Sequence, residues 1–285
     1  TSNMTTLGES DRHHWLAPIQ CVYTGIRQTR LLSMANLLNY QAEPELLRTK
    51  TILVTGAGDG IGKEAALTYA RYGAHLLLLG RTRSKLATVA DQIRQETGDE
   101  PLVVEFDLAT KSPEDYHALV GQLTAECGQL DGLLLNAGLL GSLGPIEQID
   151  PREWQHVLQV NVTSALLLTQ ALLPLLRLSP AASILFTSSG VGRRGRAHWG
   201  AYAVSKFATE GLMQVLAAEL VDSTIRVNAI NPGATRTQMR AQARPDEDPR
   251  RLRTPADLMP LYLYLMGPEG RGIHGQSLDA QPSGT

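Results

Sequence analysis

Cysteine is almost missing from this chain of 285 residues: Cys21 and Cys127 stand far apart and alone. Two isolated thiols build neither a disulfide framework nor a zinc site, so a reducing, cytoplasmic setting is the expectation. Lysine is nearly as scarce, with five in the chain, and the formal net charge is −2. Without a basic excess, nucleic acid is not expected as a partner. Nor is there a continuous run of the roughly 20 apolar residues that a bilayer span requires. The least polar stretch, Val162 to Leu176, is interrupted by Thr163, Ser164, Thr169, Gln170 and Pro174. It reads as a buried helix, and no membrane partner is expected. The first residues, with Glu9, Asp11, Arg12, His13 and His14, offer no basic start followed by an apolar core, so no signal peptide is read there. The seven histidines show no ligand spacing, and no metal is expected.

What is abundant is rhythm. From Thr51 onward short apolar runs (TILVT, HLLLL, PLVVEF, GLLLN, SILFTS, IRVNAI and QSLDA) alternate with helical stretches, among them Pro151 to Leu178, Tyr202 to Val221 and Pro255 to Met266. Continuous apolar strands separated by helices imply a parallel sheet covered on both faces. The fold class expected is α/β: a single-domain, Rossmann-type, doubly wound sheet of seven parallel strands over residues 46–285. Residues 1–45 lack this alternation and are expected to be an N-terminal extension, disordered or loosely docked. Met34 precedes enough chain for the whole domain, which makes residues 1–33 an upstream extension in this reading.

Between the first strand and the first helix lies TGAGDGIG, residues 55–62. The spacing is Gly56-x-x-x-Gly60-x-Gly62, looser than G-x-G-x-x-G. Even so, the placement suits a dinucleotide turn, because glycine lets the backbone approach a pyrophosphate and the helix N-terminus offers unpaired N–H groups. After the second strand comes Arg81, where an acid would select NAD; a planar guanidinium there matches a 2′-phosphate. NADP(H) is favoured and NAD(H) stays possible, since Asp59 inside the turn is an awkward neighbour for a phosphate.

AYAVSK places Tyr202 and Lys206 four residues apart, on one helix face. An adjacent ammonium lowers the pKa of a phenol from about 10 and turns a weak proton donor into a useful one. Taken alone, the pair could equally be a surface accident.

With these motifs in order, the chain from about residue 47 to 281 resembles the short-chain dehydrogenase/reductase family, and is closest in wording to its bacterial YciK-like oxidoreductases. The family's glycine motif corresponds to Thr55 to Gly62 with Ile61, its adenine-side motif to Asp107 and Leu108, and its NAG motif to Asn136, Ala137 and Gly138. NPGATRT supplies Pro232, Gly233, Thr235 and Thr237 on the nicotinamide side. The resemblance implies a catalytic tetrad of Asn161, Ser189, Tyr202 and Lys206, with spacings of 25 from Asn136 to Asn161 and 13 from Ser189 to Tyr202. Tyr202 and Lys206 would also touch the cofactor. In this reading Ser188 packs, Ser189 binds the reacting oxygen, and Asn161 positions a water beside Lys206. The expected activity is NADPH-dependent reduction of an aldehyde or ketone, reversible as alcohol oxidation. The alternatives are an NAD-linked alcohol dehydrogenase and a non-catalytic dinucleotide-binding scaffold or sensor. By the same resemblance the helices from Pro151 and from Tyr202 would pair in a homodimer or homotetramer, and Trp154 reads as packing or interface.

Two basic segments are left over: Arg193, Arg194, Arg196 and His198 between Ser189 and Tyr202, and Arg236, Arg240 and Arg244 after the nicotinamide loop. Either they converge over the cleft and draw in an anionic small-molecule substrate, or they are solvated or paired with acids. The sequence leaves both open.

Overall fold

Why these strands lie between helices on both sides follows from their composition, since the first five carry continuous apolar runs at their centres and each has two faces to bury. In the computed structural model, which describes residues 37–281, the strands are β1 Thr51–Thr55, β2 His75–Gly80, β3 Leu102–Glu105, β4 Gly132–Leu135, β5 Ser183–Thr187, β6 Arg226–Asn231 and β7 Ser277–Asp279. They form one seven-stranded sheet in the order β3-β2-β1-β4-β5-β6-β7, every pair parallel. This is the expected doubly wound sheet, with all seven predicted strands in place.

The helices are α1 Gly60–Arg71, α2 Arg83–Thr97, α3 Pro113–Cys127, α4 Pro151–Leu158, α5 Ser164–Arg177, α6 Gly200–Glu219, α7 Gln238–Ala243 and α8 Met259–Met266. Alternate strand residues divide between two cores. Ile52, Val54, Leu76, Leu78 and Leu134 meet α1, α2 and α8 through Ala66, Tyr69, Val89 and Tyr262. Leu53, Leu77, Leu133, Ile184 and Phe186 meet α3, α5 and α6 through Leu119, Leu172 and Met213. Strand order reverses between β1 and β4, so the loops leaving their C-terminal ends diverge and open a crevice there.

Residues 37–45, grouped from sequence with the extension, are seated on this body. Leu37 is buried in the first core, and Tyr40 meets Tyr264 edge-on at 5.3 Å between ring centroids. Residues 1–36 lie outside the described residues, as does the reading made of residues 1–33.

The stretch read as one helix from Pro151 is α4 and α5 joined by a π-helical turn, Gln159–Thr163. The joined run, Pro151–Arg177, has 27 residues and a mean hydropathy of 1.4 over its most apolar window, so among the described residues it is the one helix long and apolar enough to cross a membrane. Val162 to Leu176 falls short of that length on its own, and α4 with the π-helical turn supplies the rest. Leu168, Leu172, Leu175 and Leu176 of this run belong to the second core.

Candidate functional site

The glycine turn leaves β1 in a path that side chains would block. Gly56 and Gly60 have φ of +67° and +53°, the left-handed region that glycine alone enters freely. Gly62 is closed off instead by contact: a Cβ there would collide with the Gly56 carbonyl oxygen and lie 2.5 Å from Asn136 Nδ2. Its role is close helix–strand packing, and it does not line the crevice, although Gly56, Gly60 and Ile61 do. Asp59 caps α1, its Oδ1 accepting from Gly60 N at 2.8 Å, and its Oδ2 accepts from Lys85 Nζ at 2.7 Å. The Lys85 hydrogen bond holds the Asp59 carboxyl below its ordinary value. The awkward charge foreseen at Asp59 is therefore paired, by a lysine that the sequence reading did not single out. The signal was within reach, since Lys85 stands four residues after Arg81 in RTRSK.

Farther along the crevice, Asn136 ties β4 to its neighbours. Its N donates to Thr55 Oγ1 at 2.9 Å, its Nδ2 donates to Thr55 O at 3.3 Å, and its Oδ1 accepts from Thr187 Oγ1 at 3.3 Å. Asp107 turns the chain after β3, accepting from Ala109 N at 3.0 Å. Pro232, Gly233, Thr235 and Thr237 cross from β6 toward the glycine turn, and a Cβ at Gly60 would lie 3.4 Å from Thr237 Cγ2.

Asn161 sits in the π-helical turn and is buried. Its Oδ1 accepts from Leu139 N at 2.7 Å, while Nδ2 donates to Leu139 O and to Ser205 Oγ, each at 2.9 Å. It lies behind the crevice, where Asn161, Thr187, Lys206 and Thr209 surround a void of about 10 Å³, close to what one water requires. Lys206 is 4% exposed and donates to Thr187 O at 2.7 Å. Burial pulls its ammonium down to about 8, with Glu210 opposing the fall.

Tyr202 lies on the same face of α6, with Lys206 Nζ 5.6 Å from its ring centroid. Its pKa is pushed up to about 12 by burial, partly offset by a hydrogen bond with Ser189. The expectation that Lys206 depresses this phenol is not met here. Desolvation outweighs the distant ammonium, whose hydrogen bond goes to the Thr187 carbonyl.

Ser188 points away from this group and donates to the buried carboxylate of Glu210, which also accepts from Ser277 Oγ at 2.7 Å. Arg193 joins the same cluster, bonding Ser277 Oγ at 2.6 Å and Asp279 Oδ1 at 2.7 Å. Glu210 is a residue that motif reading missed. It follows Lys206 by one helical turn, but its partners Ser188, Arg193 and Ser277 lie 22, 17 and 67 residues away, and nothing local announces them.

The two basic segments separate on inspection. Arg193 is held as described. Arg236 donates to Pro249 O at 2.9 Å, and Arg240 forms a bidentate pair with Glu247 at 2.5 and 2.6 Å. His198 adopts a φ of +70° and its carbonyl accepts from Gly144 N at 2.9 Å, so it braces two loops together. For these four the structural role replaces the substrate role; Arg194, Arg196 and Arg244 are not engaged in this way. Trp154 is half-buried on α4.

The crevice has a volume of about 480 Å³ and runs from Gly56, Arg81 and Lys85 past Asp107, Leu108, Ala137 and Gly138 to Ser189, Tyr202 and Lys206. Apart from Gly62 and Asn161, every residue expected at the cofactor or the reacting group lines it. A cleft of this length carries a phosphate-compatible turn at one end, and two hydroxyls beside a buried lysine at the other. That arrangement can hold an extended dinucleotide and deliver a proton next to its far end.

The comparisons agree. The family model described as short chain dehydrogenase matches residues 50–248. The oxidoreductase YciK of Escherichia coli (strain K12) is 56% identical over 245 residues, spanning 86% of this chain and 97% of YciK. A short chain dehydrogenase from Shigella flexneri 2a, solved in complex with NADP, has 56% identity and a TM-score of 0.83, covering 84% of this chain and 100% of that one. A second from Escherichia coli CFT073, in complex with NADPH, has 57% identity and a TM-score of 0.83 over the same shares. Site geometry, sheet order and these relatives lead to one conclusion: this chain belongs to the short-chain dehydrogenase family of oxidoreductases.

Proposed function

We propose that this protein uses NADPH to reduce the carbonyl of a small aldehyde or ketone to an alcohol, reversibly. The observation that carries the proposal is the convergence of the Tyr202 and Ser189 hydroxyls, beside buried Lys206, in the cleft that begins at the glycine turn. The residues fit the cofactor: the bare path at Gly56 and Gly60 is a cradle for a pyrophosphate, and Arg81 with Lys85 meets the charge of a 2′-phosphate. The NADP and NADPH held by the two relatives support the same preference. When bound, the reduced nicotinamide supplies a hydride to the carbonyl carbon.

The chain does the rest. Tyr202, with a pKa near 12, stays protonated at neutral pH and donates its proton to the carbonyl oxygen, while Ser189 hydrogen-bonds that oxygen. Lys206, with a pKa near 8, is mostly cationic at pH 7 and orients the ribose hydroxyls. Asn161 shapes the water-sized void through which Lys206 would exchange protons. A homodimer or homotetramer is part of the proposal, supported by exposed Leu166 on α5 and Val204, Phe207 and Val215 on α6; so is a cytoplasmic location.

Turnover of a panel of aldehydes, ketones and diketones with NADPH tests this reading. Tight NADPH binding without turnover of any of them would favour a scaffold or sensor.

A further inference from the structure

We infer that the substrate carries an anionic oxygen group beyond an apolar body, and that Arg194 and Arg196 receive it. The inference rests on the proposed chemistry at Tyr202 and identifies the class of compound brought there. A second groove of about 600 Å³ opens next to the cofactor cleft and shares Ser189, Trp199, Gly233 and Arg240 with it. Its wall includes Arg194, Arg196 and Arg240 and contains no aspartate or glutamate. The neighbouring carboxylates are already committed: Glu247 to Arg240, Asp279 to Arg193 and Asn231, and Glu210 to Ser188, Ser277 and Arg193. Among the described residues neither Arg194 nor Arg196 has an acidic partner, so their charge faces the groove uncompensated.

Arg196 is also linked to the reacting group through one aromatic ring. Its guanidinium lies 5.7 Å from the ring centroid of Trp199, and that ring lies 5.9 Å from the ring of Tyr202. Trp199 is 9% exposed, so the ring between them is anchored in the body of the protein. The surroundings of the phenol are apolar, since Leu140, Leu143, Trp199 and Met239 cluster with Tyr202, and Val191, Ala197, Trp199 and Ala234 line the groove that holds the arginines. A carbonyl at Tyr202, an apolar segment along this cluster and an anion at the arginines follow the sequence of surfaces in order. Removing the partner acids from the wall leaves positive charge focused in a concave site, which raises the local concentration of anions.

The test uses the full chain, with 4-formylbenzoate and its neutral methyl ester as a matched pair. Binding to the NADP-loaded protein is followed by calorimetry, and kcat/KM with NADPH is measured in parallel. The carboxylate should be favoured at least tenfold at about 0.02 M ionic strength and lose most of that advantage at about 0.5 M, where the screening length falls to a few ångströms. R194A/R196A should bring the ratio to within about twofold of one, R194K/R196K should retain most of it, and R244A, outside both grooves, should leave it as in the wild type. Equal binding of the pair at low salt, or a preference that survives R194A/R196A, overturns the inference. Preferential binding of the carboxylate without turnover sustains the anion site and counts instead against carbonyl reduction. Equal turnover of the two compounds does the reverse.

Discussion

Glu210 stands one turn beyond Lys206 on the buried face of α6, and its negative charge opposes the loss of the Lys206 proton. Lys206 starts from a depressed pKa of about 8, so at higher pH it is neutral and reduction should decline. Removing the charge with Glu210→Gln should lower the Lys206 pKa further and move the alkaline limb of the kcat/KM profile to lower pH. Glu210→Asp should restore part of the difference. A limb that stays in place in both variants, with rates changed uniformly, would reduce Glu210 to packing.

Tyr202→Phe keeps the ring and its contact with Trp199 but removes the proton. Reduction should fall by a factor of about 100 to 10,000, the usual loss for a positioned proton donor, while NADPH affinity is retained. Because Tyr202 titrates near 12, the wild type should show no loss of activity from this residue anywhere between pH 6 and 9. Wild-type turnover in the phenylalanine variant would sink the assignment.

Cofactor choice is addressed by Arg81→Ala, which should weaken NADPH at least about tenfold through loss of a charge-assisted contact and barely alter NADH. Asp59→Asn is the complementary change. An amide oxygen can still accept from Gly60 N, but the carboxylate charge beside the phosphates is gone, so NADPH should bind more tightly. Equal losses for both cofactors in Arg81→Ala would show that this guanidinium does not read the 2′-phosphate.

Glycine positions make a stability test. Gly62→Ala drives a methyl group into the Gly56 carbonyl and against Asn136, and should cost about 1–3 kcal/mol, as overpacking does. Gly121→Ala, at an exposed position of α3 with nothing within 4 Å, should instead stabilise by about 0.5–1 kcal/mol through helix propensity. Thermal unfolding of the two variants should therefore shift in opposite directions.

The sheet was legible because the first five strands are apolar on both faces at their centres, so their runs stand out against the helices without any knowledge of partners. The glycine turn and the Tyr202–Lys206 pair were legible for a similar reason, since their chemistry is local. Arg193 was not. Two of its partners, Ser277 and Asp279, lie more than 80 residues away, and a solvated arginine has the same sequence signature as a bonded one. Lys85 fell between these cases, close to Asp59 in space and 26 positions away in sequence. The direction of the Tyr202 shift was not legible, because the adjacent ammonium is visible in YAVSK whereas depth of burial is not.

The π-helical turn at Gln159–Thr163 also constrains how this stretch can change. Such a turn contains one residue more than an α-turn, so deleting any one of these five would let the backbone anneal into a continuous α-helix. Five residues of a π-turn sweep about the same angle as four of an α-turn, so the two flanking segments would stay in phase. Leu168, Leu172 and Leu176 would keep their faces on the sheet, while the widened turn that carries Asn161 to Leu139 would be lost. A homologue shortened by one residue here can therefore keep the same core, but it gives up this placement of the asparagine.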